Sequence, residues 1–144
     1  MKKNLIISAC LIGTPCRYDG KSVRKIDVEA LKEKYNLIPI CPEIYGGLST
    51  PRVPSERLGE RVVMQNGNDV TDNFHRGAMA ALEFAKINGA TIALLKEKSP
   101  SCGKGKIYDG SFSGTLAGGN GVTAELLMAH GISVFGESEI EKLL

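Results

Sequence analysis

The sequence of 144 residues has no tryptophan, few aromatic residues of any kind and a net charge of only +2. So small a charge, with no stripe of Lys and Arg, offers nucleic acid no electrostatic footprint. No apolar run approaches the roughly 20 residues of a membrane span. No two cysteines stand within the roughly two to four residues that mark a structural zinc knuckle. Tandem repeats and low-complexity tracts are missing as well. Histidine is scarce and badly placed for ligation. His75 falls inside a predicted helix, and His130 in the last turn of another, where a positive side chain suits the helix dipole.

What is present fits a globular protein. The chain is 42% hydrophobic and 24% charged, long enough for one domain over 1–144 with a core of its own. Met1-Lys2-Lys3 ahead of Ile7-Ser8-Ala9-Cys10 imitates a lipoprotein cleavage site. Its apolar part runs only from Leu5 to Ile7, against the roughly 7–15 residues that export requires. The segment therefore reads as a strand, and the expected location is the cytoplasm. Disulfides are disfavoured there, so the four cysteines point to metal binding or catalysis.

Short apolar runs alternate with helical patterns, the signature of βαβ units in a mostly parallel sheet. Strands are expected at Leu5–Ser8, Leu37–Ile40, Thr91–Leu95 and Ile132–Phe135, with a short extra one at Arg61–Gln65 before the turn signal Asn66-Gly67. Helices are expected at Asp27–Tyr35, with Asp27 as N-cap, and at Asp72–Ile87, capped by Thr71 and ended by Gly89. Two more are expected at Val122–His130 and Glu137–Leu144. Phe74, Ala78, Ala81, Leu82 and Ala85 share one face of the second helix. The fold class is thus α/β, a single-domain three-layer sandwich with a Rossmann-like sheet. Residues 11–24, 42–59 and 96–121 form long non-periodic stretches. Structureless loops beyond roughly 12–15 residues usually carry function or are disordered.

The cysteines fall where such a sheet binds ligands. Cys10, Cys41 and Cys102 each follow the carboxyl end of a predicted strand, and ligands of open parallel sheets bind outside those ends. A phosphate loop like that of the small tyrosine phosphatases would need an arginine where Cys16 stands. Arg17 comes one place late, and Pro15 has no N–H to offer. A four-thiolate zinc site, an iron–sulfur cluster, and small apolar burial of some cysteines all remain open on spacing alone. The glycines around Ser99-Pro100-Ser101-Cys102-Gly103 would let backbone approach a cluster closely. In Cys41-Pro42-Glu43 a carboxylate near a metal-bound thiol could act as a general base. Arg17, Asp19, Ser49 and Arg52 lie on the same loops as possible substrate contacts.

Taken together, Ser8-Ala9-Cys10-Leu11-Ile12-Gly13, Cys16-Arg17-Tyr18-Asp19-Gly20, Cys41-Pro42-Glu43, Gly46 to Arg52, Lys96 to Gly103 and Tyr108-Asp109-Gly110 resemble the thiouracil desulfidase family. The resemblance covers roughly residues 4–136 and is to the stand-alone short form. It implies a [4Fe–4S] cluster, oxygen-sensitive, held by Cys10, Cys41 and Cys102, with one iron left for the sulfur of the substrate. Cys16 is then a neighbour of the cluster, or the alternative to Cys10 as ligand. The resemblance further implies catalytic roles for Glu43 and Ser101, while Arg17, Asp19 and Ser49 are expected as substrate contacts from their loop positions. The partner would be a small thiolated nucleobase, with no nucleic acid and no membrane. A non-catalytic metal- or cluster-binding module that handles sulfide or metal is the alternative, and a metal-free thiol enzyme a third.

Overall fold

The structure, a computed structural model, describes residues 2–20 and 26–144. Part of the predicted loop 11–24 therefore lies outside the described residues. Strand β1 (Lys3–Ser8) runs into a 3-10 turn, Ala9–Ile12. Helix α1 (Val28–Lys34) follows, and Asp27 caps it as expected, its Oδ1 accepting the Ala30 N–H at 3.0 Å. Strand β2 (Tyr35–Ile40) begins without a turn, earlier than the apolar run suggests. The cause is Tyr35. Its ring is buried, and its hydroxyl donates to the Leu143 carbonyl at 2.8 Å, which pulls the chain into the sheet at once.

Four strands make the main sheet in the order β2-β1-β5-β8, all parallel, where β5 is Ile92–Leu95 and β8 is Ser133–Gly136. Leu5 lies between Leu37 and Ile92 in register. The sheet is covered on both faces. Ile6, Ala93, Leu95 and Val134 pack against Ala81, Leu82 and Ala85 of α3 (Thr71–Ile87) and against Leu127 of α4 (Val122–Ala129). Leu5, Ile7 and Leu94 point the other way, onto Leu31 of α1 and Leu143. Burial on two faces is why these strands read as continuous apolar runs. The expected three layers are therefore present.

Chain order sets the position of the site. From β1 the chain moves outward to β2, then returns to the other side of β1 for β5. Between β1 and β5 lies the reversal point at which ligands of open α/β sheets bind.

Some local expectations are corrected. Thr71 does not cap α3; it is the first helical residue, and Val70 occupies the cap. The Thr71 hydroxyl is drawn instead to β4 (Arg61–Met64), where it accepts the Val62 N–H at 2.9 Å, while Asp69 Oδ1 accepts the Thr71 N–H at 2.9 Å. The C-terminal segment is a 3-10 helix over Glu137–Lys142 rather than an α-helix. The long loops are also less bare than their sequences. The second holds helix α2 (Pro42–Tyr45) and strand β3 (Ser55–Leu58), which pairs antiparallel with β4. The third holds a hairpin of β6 (Lys106–Tyr108) and β7 (Leu116–Gly118).

Candidate functional site

All four cysteines line one cavity of about 380 Å³ at the carboxyl edge of the sheet. Cys10 sits in the 3-10 turn after β1, which Gly13 closes at φ +103°. Cys41 is the N-cap of α2, directly after β2. Helix α2 is fixed by α3: a Cβ on Gly77 would meet the Pro42 carbonyl at 1.9 Å, so only glycine allows this approach.

Cys102 is held by its own loop. Ser99 Oγ accepts the N–H groups of Ser101 and Cys102, both at 3.0 Å. The loop is then clamped to the start of α4, where the Gly121 N–H donates to Gly103 O at 2.7 Å and the Thr123 N–H to Ser101 O at 2.8 Å. Glycine is required here too, since a Cβ on Gly121 would meet Ser101 O at 2.3 Å.

The thiols are electrostatically distinct. Burial pushes Cys10 up to about 11 and Cys102 up to about 12, the latter against a hydrogen bond from Ser8 that favours the thiolate. A hydrogen bond with Cys16 brings Cys41 down to about 7, and the same bond raises Cys16. The Cys41 thiol also lies 3.7 Å from the Cys16 carbonyl, to which it donates. Ser8 is buried at the end of β1, where its hydroxyl also accepts the Lys96 N–H at 2.9 Å. Lys96 lines the cavity with its Nζ 3.1 Å from Glu137 Oε1, and its charge favours the Cys10 thiolate.

This donor set suits a cluster better than a lone ion. Among the described residues, no three His, Cys, Asp or Glu side chains gather closely enough to hold one metal ion. The thiols surround a space instead. A cluster held by thiolates on separate irons fits such a space, whereas four-thiolate zinc draws its sulfurs to one point. Coordination would hold the buried thiols as thiolates, which burial alone disfavours.

The other predicted residues divide. Glu43 lines the cavity and is paired with Arg52, whose Nε and Nη2 reach Glu43 Oε1 at 3.3 and 3.1 Å. Both contacts are to Oε1 and neither is to Oε2. Burial raises the Glu43 carboxyl, and Arg52 opposes that rise. Arg52 is itself anchored on Cys16 O at 3.2 Å, Ser49 O at 3.0 Å and Thr50 Oγ1 at 3.1 Å. Arg17 is on the wall.

Asp19 and Ser49 are exposed and not on the wall. Asp19 pairs with Arg17 at 3.8 Å, and Ser49 contributes its carbonyl to Arg52. Ser101 is fully buried behind the wall, its hydroxyl 2.8 Å from Thr123 Oγ1 and 3.9 Å from Cys102 Sγ. Sequence reasoning passed over Ser8, Lys96 and Glu56. The position of Ser8 at the end of β1, just ahead of Cys10, was the available signal for it.

The comparisons agree with this geometry. The profile of the 2-thiouracil desulfurase family matches residues 5–139. The uncharacterized protein YbbK of Bacillus subtilis (strain 168) is 39% identical, over 97% of this chain and 99% of its own length. A solved structure of the [4Fe–4S]-dependent thiouracil desulfidase TudS superposes with a TM-score of 0.95 at 49% identity, over 99% of this chain and 95% of that one. With cysteines from three strand ends at the sheet's reversal point, and the profile matched over most of its length, the chain belongs to the 2-thiouracil desulfurase family.

Proposed function

We propose that this protein, as a single domain over 1–144, is a [4Fe–4S]-dependent desulfidase that removes sulfur from 2-thiouracil or a related thiolated pyrimidine without net redox change. The observation that carries the reading is the convergence of Cys10, Cys41, Cys102 and Glu43 on one cavity. Those three cysteines would hold the cluster. Cys16 stands beside it, its carbonyl accepting a hydrogen bond from the Cys41 thiol at 3.7 Å. When bound, a cluster with one iron free of protein ligands supplies a Lewis acid to the thiocarbonyl sulfur.

The remaining work belongs to side chains. Glu43 is the general base: Arg52 fixes its Oε1, which leaves Oε2 to take a proton from the attacking water. Burial raises its proton affinity while Arg52 keeps it ionisable. Ser101 acts through Cys102, because its hydroxyl reaches that sulfur and not the open cavity. Arg17 contacts the substrate, with Asp19 orienting it, and Ser49 holds Arg52. The substrate is a free small base, and the site of action is the cytoplasm, where thiols stay reduced. No helix among the described residues is long and apolar enough to cross a membrane.

The test is anaerobic reconstitution with iron and sulfide, followed by addition of 2-thiouracil and measurement of released sulfide and uracil. Turnover by the loaded protein alone is expected. A loaded protein that releases no sulfide from any thiolated pyrimidine overturns the enzymatic reading.

A further inference from the structure

Part of the cavity wall has no cysteine, and of its residues only Tyr108 stands in a sequence motif. It is built by β3 and the β6–β7 hairpin, which contribute Glu56, Tyr108 and Phe112. Glu56 is 8% exposed, a carboxylate in the interior. Among the described residues no Lys or Arg pairs with it. Its Oε1 accepts instead two backbone N–H groups of the hairpin loop, Gly110 at 2.9 Å and Phe112 at 3.1 Å. Such charge-assisted bonds are stronger than neutral ones. The loop is also packed down on β3: Gly110 adopts φ +94°, and a Cβ there would meet Leu58 Cδ1 at 3.0 Å and Arg57 O at 3.3 Å.

Phe112 itself has φ +56°. That left-handed region suits Gly or Asn, and a bulky residue held in it is strained. Strain of this kind persists where the surroundings over-determine it, and it clusters at ligand clamps. A turn that needed only the backbone shape would be served by glycine. A phenylalanine there places a ring-bearing residue on the cavity wall, which glycine would not do.

We propose that Glu56 is a positioning residue that locks Phe112 in place, so that its ring is the platform on which the planar thiolated pyrimidine stacks. The inference rests on the desulfidase reading for its substrate class. The stacking surface accepts any flat pyrimidine, oxo or thio. Uracil, the product, is therefore an equally good probe.

The experiment compares wild type, Phe112→Ala, Glu56→Ala, Glu56→Gln and the double alanine variant. Each is reconstituted, and KM and kcat for 2-thiouracil, iron content and calorimetric uracil affinity are measured. Removing an aromatic partner from a stacked base weakens binding by about 5- to 150-fold. Phe112→Ala is expected to raise KM and weaken uracil within that range, with kcat and iron content near wild type. Glu56→Ala is expected to follow it. Glu56→Gln keeps an Oε1 acceptor without its charge and is expected to fall between wild type and Glu56→Ala. The double variant is no worse than Phe112→Ala, because the two residues act as one unit.

Unchanged uracil affinity in Phe112→Ala overturns the platform, as does a wild type that binds no uracil. Should Glu56→Ala fail to fold, Phe112→Ala still decides the platform, and a Glu56→Gln variant that weakens uracil as Phe112→Ala does overturns the acceptor role of Glu56. A wild type that binds uracil through Phe112 but releases no sulfide sinks the desulfidase reading and leaves the platform standing.

Discussion

At the scale of single residues, the proposed roles separate groups that hold from groups that react. Cys41 caps α2 and lines the cavity, and Glu43 lies two positions on, inside the same short helix. Glu43→Gln removes the proton acceptor but keeps a side chain of equal size that can still bond Arg52. Turnover is expected to fall by about 10²- to 10⁴-fold, the usual worth of a general base, with iron content and visible absorbance unchanged. Cys41→Ser is expected to lose both iron and activity. Iron analysis beside a sulfide assay separates the two outcomes, and a Glu43→Gln enzyme with full turnover removes Glu43 from the mechanism. Cys10, Cys41 and Glu43 could be picked out in the sequence because each sits at or just after the end of an apolar run, and Cys102 because its Gly-rich loop follows one. Ser101 was legible as part of a motif, but its direction was not. Whether a hydroxyl faces the cavity or Thr123 depends on where α4 docks, which no local pattern encodes.

At the scale of elements, the core strands and α3 could be read because their periodicity is the burial itself. Helix α2, strand β3 and the β6–β7 hairpin could not. They are short, non-periodic and held by distant partners; the interior place of Glu56 depends on loop N–H groups more than fifty positions away. The approach of α3 to α2 yields a test of such a contact. Gly77→Ala would drive a methyl group into the Pro42 carbonyl, with 1.9 Å available. Backbone must move, so a loss of about 1–3 kcal/mol is expected by urea unfolding, together with reduced turnover as Cys41 and Glu43 shift. An exposed-face control such as Met79→Ala should do neither. The junction of β8 with the C-terminal 3-10 segment gives a pH test. Hydrogen bonds from Lys142 and from the Gly136 N–H bring Glu139 down to about 2 from a usual value of 4.5. A depressed carboxyl stabilises the fold above its unfolded value, and that contribution fades as pH falls toward 2. Glu139→Gln should therefore melt below wild type at pH 7, with the gap closing under pH 4.5 and gone near 2. Solvent around these side chains keeps the gap modest. A gap that widens in acid refutes the assignment.

For the molecule as a whole, the class of fold was legible and the convergence of its loops was not fully so. Three apolar runs followed by cysteines announced a parallel sheet with thiols at one edge. That they meet follows from strand order, since the return of the chain past β1 places the β1, β2 and β5 ends side by side. Cys10 and Cys102 come together only through that crossover. A cluster on these ligands would join three strand ends that are otherwise linked by long loops. Metal bound by the native state and not by the unfolded chain adds its binding free energy to stability. The core does not draw on the site, because Leu5, Ile6, Ile7, Leu94 and Leu95 are fully buried among side chains of the sheet and its covering helices. Iron removal under anaerobic chelation is therefore expected to leave far-UV circular dichroism unchanged and unfolding cooperative. The Tm is expected to drop, by roughly 2–8 °C for each kcal/mol of lost binding energy at this size. Reloading with iron and sulfide should restore it, and Cys41→Ser should melt like the stripped protein whether or not iron is supplied. A stripped protein that has lost its helical signal would mean that the centre builds the fold. A Tm indifferent to iron would mean that the three strand ends do not share a cluster.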